Sequence, residues 1–319
     1  MKLLEIFSPW RQPEDCIAES PIDAEPRRAV VALGGGGARG IAHLGAMQAI
    51  GESGVQIERI VGVSMGSLVG AMCALEPDIL RVQSQALQLL HSPIFQLKQQ
   101  ELCGATPPTG DEHSGSTFSW YTRLTKVLSA HRRLARAATG PSLISDESLR
   151  DAIESLIPDI DIADVPCPLS IVAVDLFSGQ RVVLEKGPLR LAVQASSAIP
   201  GIFPPVRWDH MMLCDIGVIE SLPTLLARSY ASDLTIGVDV SQDPTCIDRC
   251  DTALDVMMRL DDICERMMRR HVIEAADLII RPQVGDVAWF DFSHPEDLIK
   301  RGRAAAHQAL AMFANRHVA

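Results

Sequence analysis

"VALGGGGARGIAHLGAMQAI", residues 31–50, places four consecutive glycines, Gly34 to Gly37, between a short apolar run and a helical pattern. A strand that empties into a bare loop and then a helix is the opening unit of an α/β fold, and the loop's backbone N–H groups are free to face an anion. Three anions compete. A P-loop needs GK[ST] at the end of the motif, and here Gly40 is followed by Ile41 and Ala42. A dinucleotide fingerprint is spelled by Gly35, Gly37 and Gly40, with Glu52 or Glu58 at a tolerable distance for a ribose. The third reading is the oxyanion of an ester under attack, and it requires a nucleophile nearby.

The next strand-loop-helix unit supplies one. The apolar run Ile57–Val61 ends in Gly62-Val63-Ser64-Met65-Gly66, a GxSxG whose flanking glycines, Gly62 and Gly66, permit a tight elbow with the serine hydroxyl exposed. The glycine loop and the elbow then share one end of adjacent strands. GxSxG alone is moderately specific; one βα unit after a glycine loop it is much more so.

With 319 residues, 47% of them hydrophobic, the chain can bury a sizeable core, which excludes a disordered protein. A net charge of -11 argues against nucleic-acid binding and against constitutive attachment to anionic membrane, leaving only local, transient membrane-surface contact. The N-terminal MKLLEIFSPW is too short an apolar run for a signal peptide or a spanning helix, so a cytoplasmic protein is expected, with peripheral contact at the inner membrane face at most. Eight scattered cysteines without paired CxxC spacing read as reduced and mostly buried, and no metal site is expected.

Short apolar runs alternating with helices predict an α/β fold: a mainly parallel central sheet with helices on both faces. Residues 1–27, rich in proline, read as an irregular leader, and 99–140 as an insertion or lid. "LSIVAVDLFSGQRVVLE" reads as two strands joined at Ser178 and Gly179, and "VRWDHMMLCDIG" as a hairpin ending at Asp215. Ser145 or Asp146 caps the helix that follows. The Met-rich helix "VMMRLDDICERMMRR" spaces its apolar residues for core packing, and "SSAIPGIFPPV" is a rigid wall.

A serine needs a base to take its proton. None of the nine histidines falls in a loop after a strand end, the usual place for a triad histidine. Asp175, Asp215 and Asp239 each end an apolar run, where α/β sheets present functional groups. The pattern does not choose among them, although Gly217 permits a sharp turn after Asp215.

Gly36-Gly37-Ala38-Arg39-Gly40, Gly62-Val63-Ser64-Met65-Gly66, "ASSAIPGIFPPV" and "LCDIGVIESLP" occur together in one order. In this the chain resembles the bacterial patatin-like phospholipases, with the general layout running over residues 28–319. The resemblance implies the three-layer patatin-like fold and a lipid acyl hydrolase that cleaves fatty-acyl esters of phospholipids, lysophospholipids or acylglycerols. It implies Ser64 as nucleophile and Asp215 as base in a dyad without histidine. It also implies an oxyanion hole from the N–H groups of Gly35, Gly36 and Gly37, with Arg39 holding the loop, and no cofactor.

One departure carries an expectation of its own. The family's usual Asp-Gly-Gly or Asp-Gly-Ala is here Asp215-Ile216-Gly217. Isoleucine at 216 is strained if the turn needs positive φ and narrows the pocket wall if it does not. On that ground the alternative is a catalytically weakened lipid-binding or regulatory protein on the same fold. A nucleotide-binding protein stands third, leaving GxSxG unexplained.

Overall fold

The computed structural model describes residues 27–103 and 145–317, apart from 218, 242, 244, 245, 248, 249 and 252. Most of the expected 99–140 insertion and nearly all of the 1–27 leader lie outside them. The described strands are β1 (Arg28–Leu33), β2 (Gln56–Val63), β3 (Leu169–Asp175), β4 (Arg181–Leu184), β5 (Val206–Trp208), β6 (Met211–Cys214), β7 (Leu234–Val238) and β8 (Leu278–Ile280). They form one sheet in the order β5-β6-β3-β2-β1-β7-β8, with β4 also on β3. From β3 to β8 the pairs are parallel; β4, β5 and β6 run antiparallel at one edge. The mainly parallel sheet expected from the sequence is therefore present, with an antiparallel margin that holds the hairpin before Asp215.

Alternation along β1 sorts its side chains between two cores. Ala29, Val31 and Leu33 join the larger one, and Val30 and Ala32 the smaller. The larger core is covered by α1 (Ala42–Glu52), α2 (Met65–Leu75), α3 (Ile79–Leu90), α5 (Glu147–Leu156), α6 (Leu189–Ser196) and α9 (Pro295–His317). On the smaller lie α7 (Thr224–Ser229) and α8 (Ala253–Ile273). Helix α4 (Pro93–Cys103) follows α3.

Two details differ from the sequence reading. Asp146 stands at the N-cap of α5, but its carboxylate accepts from Gln194 Nε2 at 2.9 Å rather than from the helix backbone. Of the six cysteines whose side chains are described, only Cys214 is buried; Cys246, Cys250 and Cys264 are exposed, so these thiols are not mostly buried. Spacing alone placed these cysteines in apolar segments without knowing which way each segment faces. The Met-rich helix α8 shows the same problem more sharply: Val256, Leu260, Ile263 and Met267 point outward, at 38–60% exposure, and the expected core packing does not hold.

Helices α1 and α9 meet backbone to backbone. A methyl group on Gly45 would lie 1.8 Å from the Ile299 carbonyl oxygen, and one on Gly302 would lie 1.9 Å from that of Ala42. Neither backbone can yield without separating the helices. Gly51, in the same helix α1, has open space around it. Gly45→Ala is therefore expected to destabilise the fold by about 1–3 kcal/mol or more through overpacking. Gly51→Ala is expected to stabilise it by about 0.5–1 kcal/mol, because alanine is the better helix former. Urea unfolding of the two variants checks the opposite signs.

Candidate active site

Ser64 sits where β2 becomes α2, with φ 54° and ψ -125°, a left-handed conformation that side-chain-bearing residues rarely adopt. Several neighbours hold it there. Its N–H donates to Ser196 Oγ at 2.9 Å, and that hydroxyl donates to the Val172 carbonyl at 2.7 Å. Ser67 Oγ donates to the Ser64 carbonyl at 2.7 Å. The elbow's glycines are required by close approach: a Cβ at Gly62 would lie 2.5 Å from the Gly66 carbonyl oxygen, and one at Gly66 2.2 Å from that of Leu33.

The structure distinguishes the three strand-end aspartates. Asp175 closes the β3–β4 turn, accepting from Ser178 Oγ at 2.6 Å and from the Met212 N–H at 2.9 Å. The Ser178 hydroxyl first, with the backbone donors, pulls its carboxyl down to about 2. Asp239 is fully buried and joined to Arg281 at 3.0 Å and Arg269 at 3.6 Å. Only Asp215 reaches the elbow, where the Ser64 hydroxyl is close enough to pull its carboxyl pKa down. The Gly217 N–H, 2.7 Å from Asp215 Oδ1, fixes the carboxylate's other side. Burial pushes the Asp215 carboxyl up to about 6, against the opposing pull of these two donors.

None of the described histidines is hydrogen-bonded to Ser64 or Asp215. His43, the one beside the glycine loop, is buried with Nε2 at 2.8 Å from the Gly34 carbonyl. Burial lowers its pKa to about 4, so near neutral pH the ring is uncharged and Nε2–H donates to that carbonyl. His113 and His131 lie outside the described residues.

The glycine loop enters a 3-10 turn, Gly37–Ile41, before α1. One of the three expected oxyanion donors is already committed: the Gly35 N–H donates to the Ser221 carbonyl at 2.8 Å. Gly35 contributes its missing side chain instead, since a Cβ there would touch that of Ser64 at 3.3 Å. Among the described residues the N–H groups of Gly36 and Gly37 have no such acceptor. Arg39 turns away from the serine. Its Nε donates to the Gly36 carbonyl at 3.2 Å, and its buried guanidinium, lowered to about 10 chiefly by burial, faces Glu265, Asp239 and Asp262. It secures the loop from behind. The acids once considered for a ribose are engaged elsewhere, Glu52 with Arg303 at 2.9 Å and Glu58 with Arg28 at 3.2 Å.

Ser64 opens into a cavity of about 210 Å3 with almost wholly apolar walls. Gly37 and Met65 stand at the serine end, and Ile199, Ile202 and Phe203 bring in the proline-rich segment as the expected wall. The sequence reading missed the opposite wall, Trp289, Phe290 and Phe292 with Phe95 of α4. In a chain with only 4% aromatic residues, the run Trp289-Phe290-Asp291-Phe292 was a signal that could have found it.

Ile216 fulfils neither half of the expectation attached to it. Positive φ among side-chain-bearing residues is confined, within the described residues, to Ser64 and Asp209, so Ile216 is unstrained. It is also absent from the cavity wall. Its side chain, 4% exposed, packs with Val61, Val63, Val172 and Leu222 in the smaller core.

A mainly parallel α/β sheet with a strained serine elbow, a glycine loop alongside and a buried carboxyl beside the serine defines the class of a serine-elbow α/β protein with an apolar cavity. Within that class, the chain belongs to the patatin-like phospholipase family, whose model matches residues 31–228. It is 29% identical over 217 residues to an uncharacterised NTE family protein of Mycobacterium tuberculosis, covering 67% of this chain and 49% of that protein. It is 30% identical over 216 residues to patatin-like phospholipase domain-containing protein 6 of Homo sapiens, covering 67% of this chain and 13% of that protein. The chain thus spans about half the length, or less, of these relatives. The structure of VipD from Legionella pneumophila aligns over 92% of this chain and 67% of its own, with a TM-score of 0.47 and 16% identity.

Two outcomes follow from this geometry. Ile216→Ala is expected to cost about 2–5 kcal/mol by opening a cavity in the smaller core, without raising fluorophosphonate labelling of Ser64. Urea unfolding and gel fluorescence check the pair. Asp215, ordinarily near 3.8 and here near 6, contributes stability that is full below about pH 3.8 and lost as pH rises through about 6. That loss is about 3 kcal/mol at 1.36 kcal/mol per pH unit. Asp215→Asn is therefore expected to be more stable than the native protein at pH 8, with the advantage fading towards pH 4, as read by urea unfolding at the two pH values.

Proposed function

We propose that the chain is a carboxylic ester hydrolase acting on fatty-acyl esters of lipids, through an acyl enzyme on Ser64. The observation that carries this reading is the strained Ser64, its hydroxyl beside the buried Asp215 carboxyl, at the end of an apolar cavity. The cavity takes the acyl chain and brings the ester carbonyl to the serine. Ser64 Oγ attacks the carbonyl carbon as Asp215 accepts its proton, and the resulting oxyanion is received by the N–H groups of Gly36 and Gly37. Collapse of the tetrahedral intermediate expels the alcohol, which takes the proton back from Asp215. Water, deprotonated by Asp215, then attacks the acyl-serine, and Asp215 returns that proton to Ser64 Oγ as the fatty acid leaves.

A base with pKa near 6 is half ionised one to two pH units below the cytoplasmic range and is still basic enough to take a serine proton in the transition state. Burial of Asp215 thus serves the chemistry at the cost in stability derived above. The buried packing and ordinary backbone of Ile216 remove the ground for a weakened, purely lipid-binding protein. Phospholipids, lysophospholipids and acylglycerols all present such an ester. Among the described residues no helix is long and apolar enough to cross a membrane.

Ser64→Ala is expected to lower turnover of a dissolved short-chain nitrophenyl ester by at least about 10³-fold and to abolish fluorophosphonate labelling. Turnover by Ser64→Ala at the native rate would sink the mechanism. For the native protein kcat/KM is expected to rise about tenfold per pH unit up to about pH 6 and then to level off, as Asp215 ionises.

A further inference from the structure

Helix α8 is built inside out. Asp262, Glu265, Arg269 and Val272 follow one another at intervals of three and four residues and face the protein; Arg269 is 5% exposed. Their partners are the groups behind the glycine loop. Glu265 accepts from Ser221 Oγ and faces Arg39, and Arg269 lies 3.6 Å from Asp239 and 2.7 Å from Asp243. At 3.6 residues per turn, Val256, Leu260, Ile263 and Met267 fall on the opposite side of the helix, and all four are exposed, Leu260 by 57% and Met267 by 60%. A surface helix ordinarily has the reverse arrangement, and an apolar face left in water marks an interaction site.

The position of the stripe in the fold is set by chain direction. Helix α8 leads from the C-terminal end of β7 back to the start of β8, which lies parallel to β7. It therefore runs antiparallel to these strands, with Glu265 level with the loop that carries Ser221 and Val256 about 13 Å further out at 1.5 Å per residue. This is the end of the sheet at which Ser64 stands. Ile219, on the turn after Asp215, and Phe177, on the β3–β4 turn, are also exposed there, and Arg181–Glu220 at 3.0 Å ties those two turns together.

The size and borders of the stripe select its occupant. Four half-exposed side chains over about 16 Å of helix present roughly 300–400 Å2. That is less than half of the roughly 800 Å2 per partner found in stable protein interfaces, which disfavours a second copy of the chain. Exposed Arg270 and half-buried Arg266, whose Nε is 3.8 Å from Asp243, flank the stripe on one side, placed as cations beside an apolar face are placed at headgroup phosphates. We infer that the outward face of α8, with Ile219 and Phe177, docks the protein on a phospholipid surface and seats the Ser64 end of the sheet against it. The choice of lipid as occupant rests on the ester-hydrolase reading. Because the chain's net charge is -11, the docking is chiefly apolar and needs no anionic lipid.

The test is flotation with phosphatidylcholine vesicles, using Ser64→Ala protein so that no lipid is consumed. That protein is expected to float with the vesicles in 0.1 M and in 0.5 M salt. Adding Leu260→Glu and Ile263→Glu should weaken binding at least tenfold, and Val256→Gln alone should weaken it less. With Ser64 restored, the same changes should leave turnover of the dissolved short-chain ester and the thermal midpoint unchanged. Absence of flotation by the parent, or equal flotation by the variants, overturns the proposal. So does a large fall in thermal midpoint in Val256→Gln as well as the double variant, which would show that the stripe is covered within the chain. A dimer by light scattering that the variants dissolve would assign the face to a second copy. If Ser64→Ala retains ester turnover, the hydrolase reading fails, while flotation still reports separately on the face.

Discussion

The left-handed backbone of Ser64 is the constraint on which the rest of the site depends. A residue with a side chain in that conformation costs on the order of 1–3 kcal/mol, and it persists only where surrounding structure leaves no alternative. Here the surroundings are specific. Ser196 takes up the N–H that the strained turn removes from the sheet, Ser67 takes up the carbonyl, and Gly62 and Gly66 let the two backbones close on the elbow. The result is a hydroxyl held at the end of a strand with nowhere to relax. Asp215 meets it there because the antiparallel margin, β5 and β6, delivers the carboxylate alongside β3 at the height of the elbow.

Asp175, Asp215 and Asp239 occupy the same position in sequence pattern and three different environments in space. Asp175 is surrounded by donors and is held strongly acidic; Asp239 is paired with two arginines; Asp215 is buried without a cation among the described residues, and its carboxyl is pushed up to about 6. Strand ends were legible in the sequence, and so was the need for an acid near Ser64. Which acid was not, because much of the answer lies in partners brought by distant segments: Met212 for the first, and Arg269 of α8 with Arg281 for the last. The likeness of the motifs to a family pointed to Asp215 where the residue pattern alone did not.

The same division explains the other differences. The glycines were readable as a cradle, but the N–H of Gly35 is used by Ser221, a residue 186 positions away that no local pattern connects to it. Periodicity found α8 and its apolar stripe correctly and then assigned the stripe to the core. A 3.6-residue period shows that a helix has two faces without showing which one the protein needs, and in α8 the buried charges of the glycine loop claim the charged face. Ile216 was judged by its place in a motif; its packing in the smaller core is a property of the opposite face of the sheet.

The family's model ends at residue 228, yet the site does not. The carbonyl of Trp289 accepts the Ala38 N–H, and it lies 2.1 Å from where a Cβ on Gly37 would stand, so the glycine loop closes directly against this later segment. The ring of the same residue, with Phe290 and Phe292, forms the far wall of the cavity, and Gln99 of α4 donates to the Phe290 carbonyl at 3.1 Å. Helix α9, which follows, is locked to α1 through Gly45 and Gly302, and α1 begins where the glycine loop ends. The matched segment therefore carries Ser64 and Asp215, while the residues after it help set the shape of the space beside them. Under the proposed reading this later segment shapes what the chain accepts, since it touches both the cavity and the loop that would bind the oxyanion.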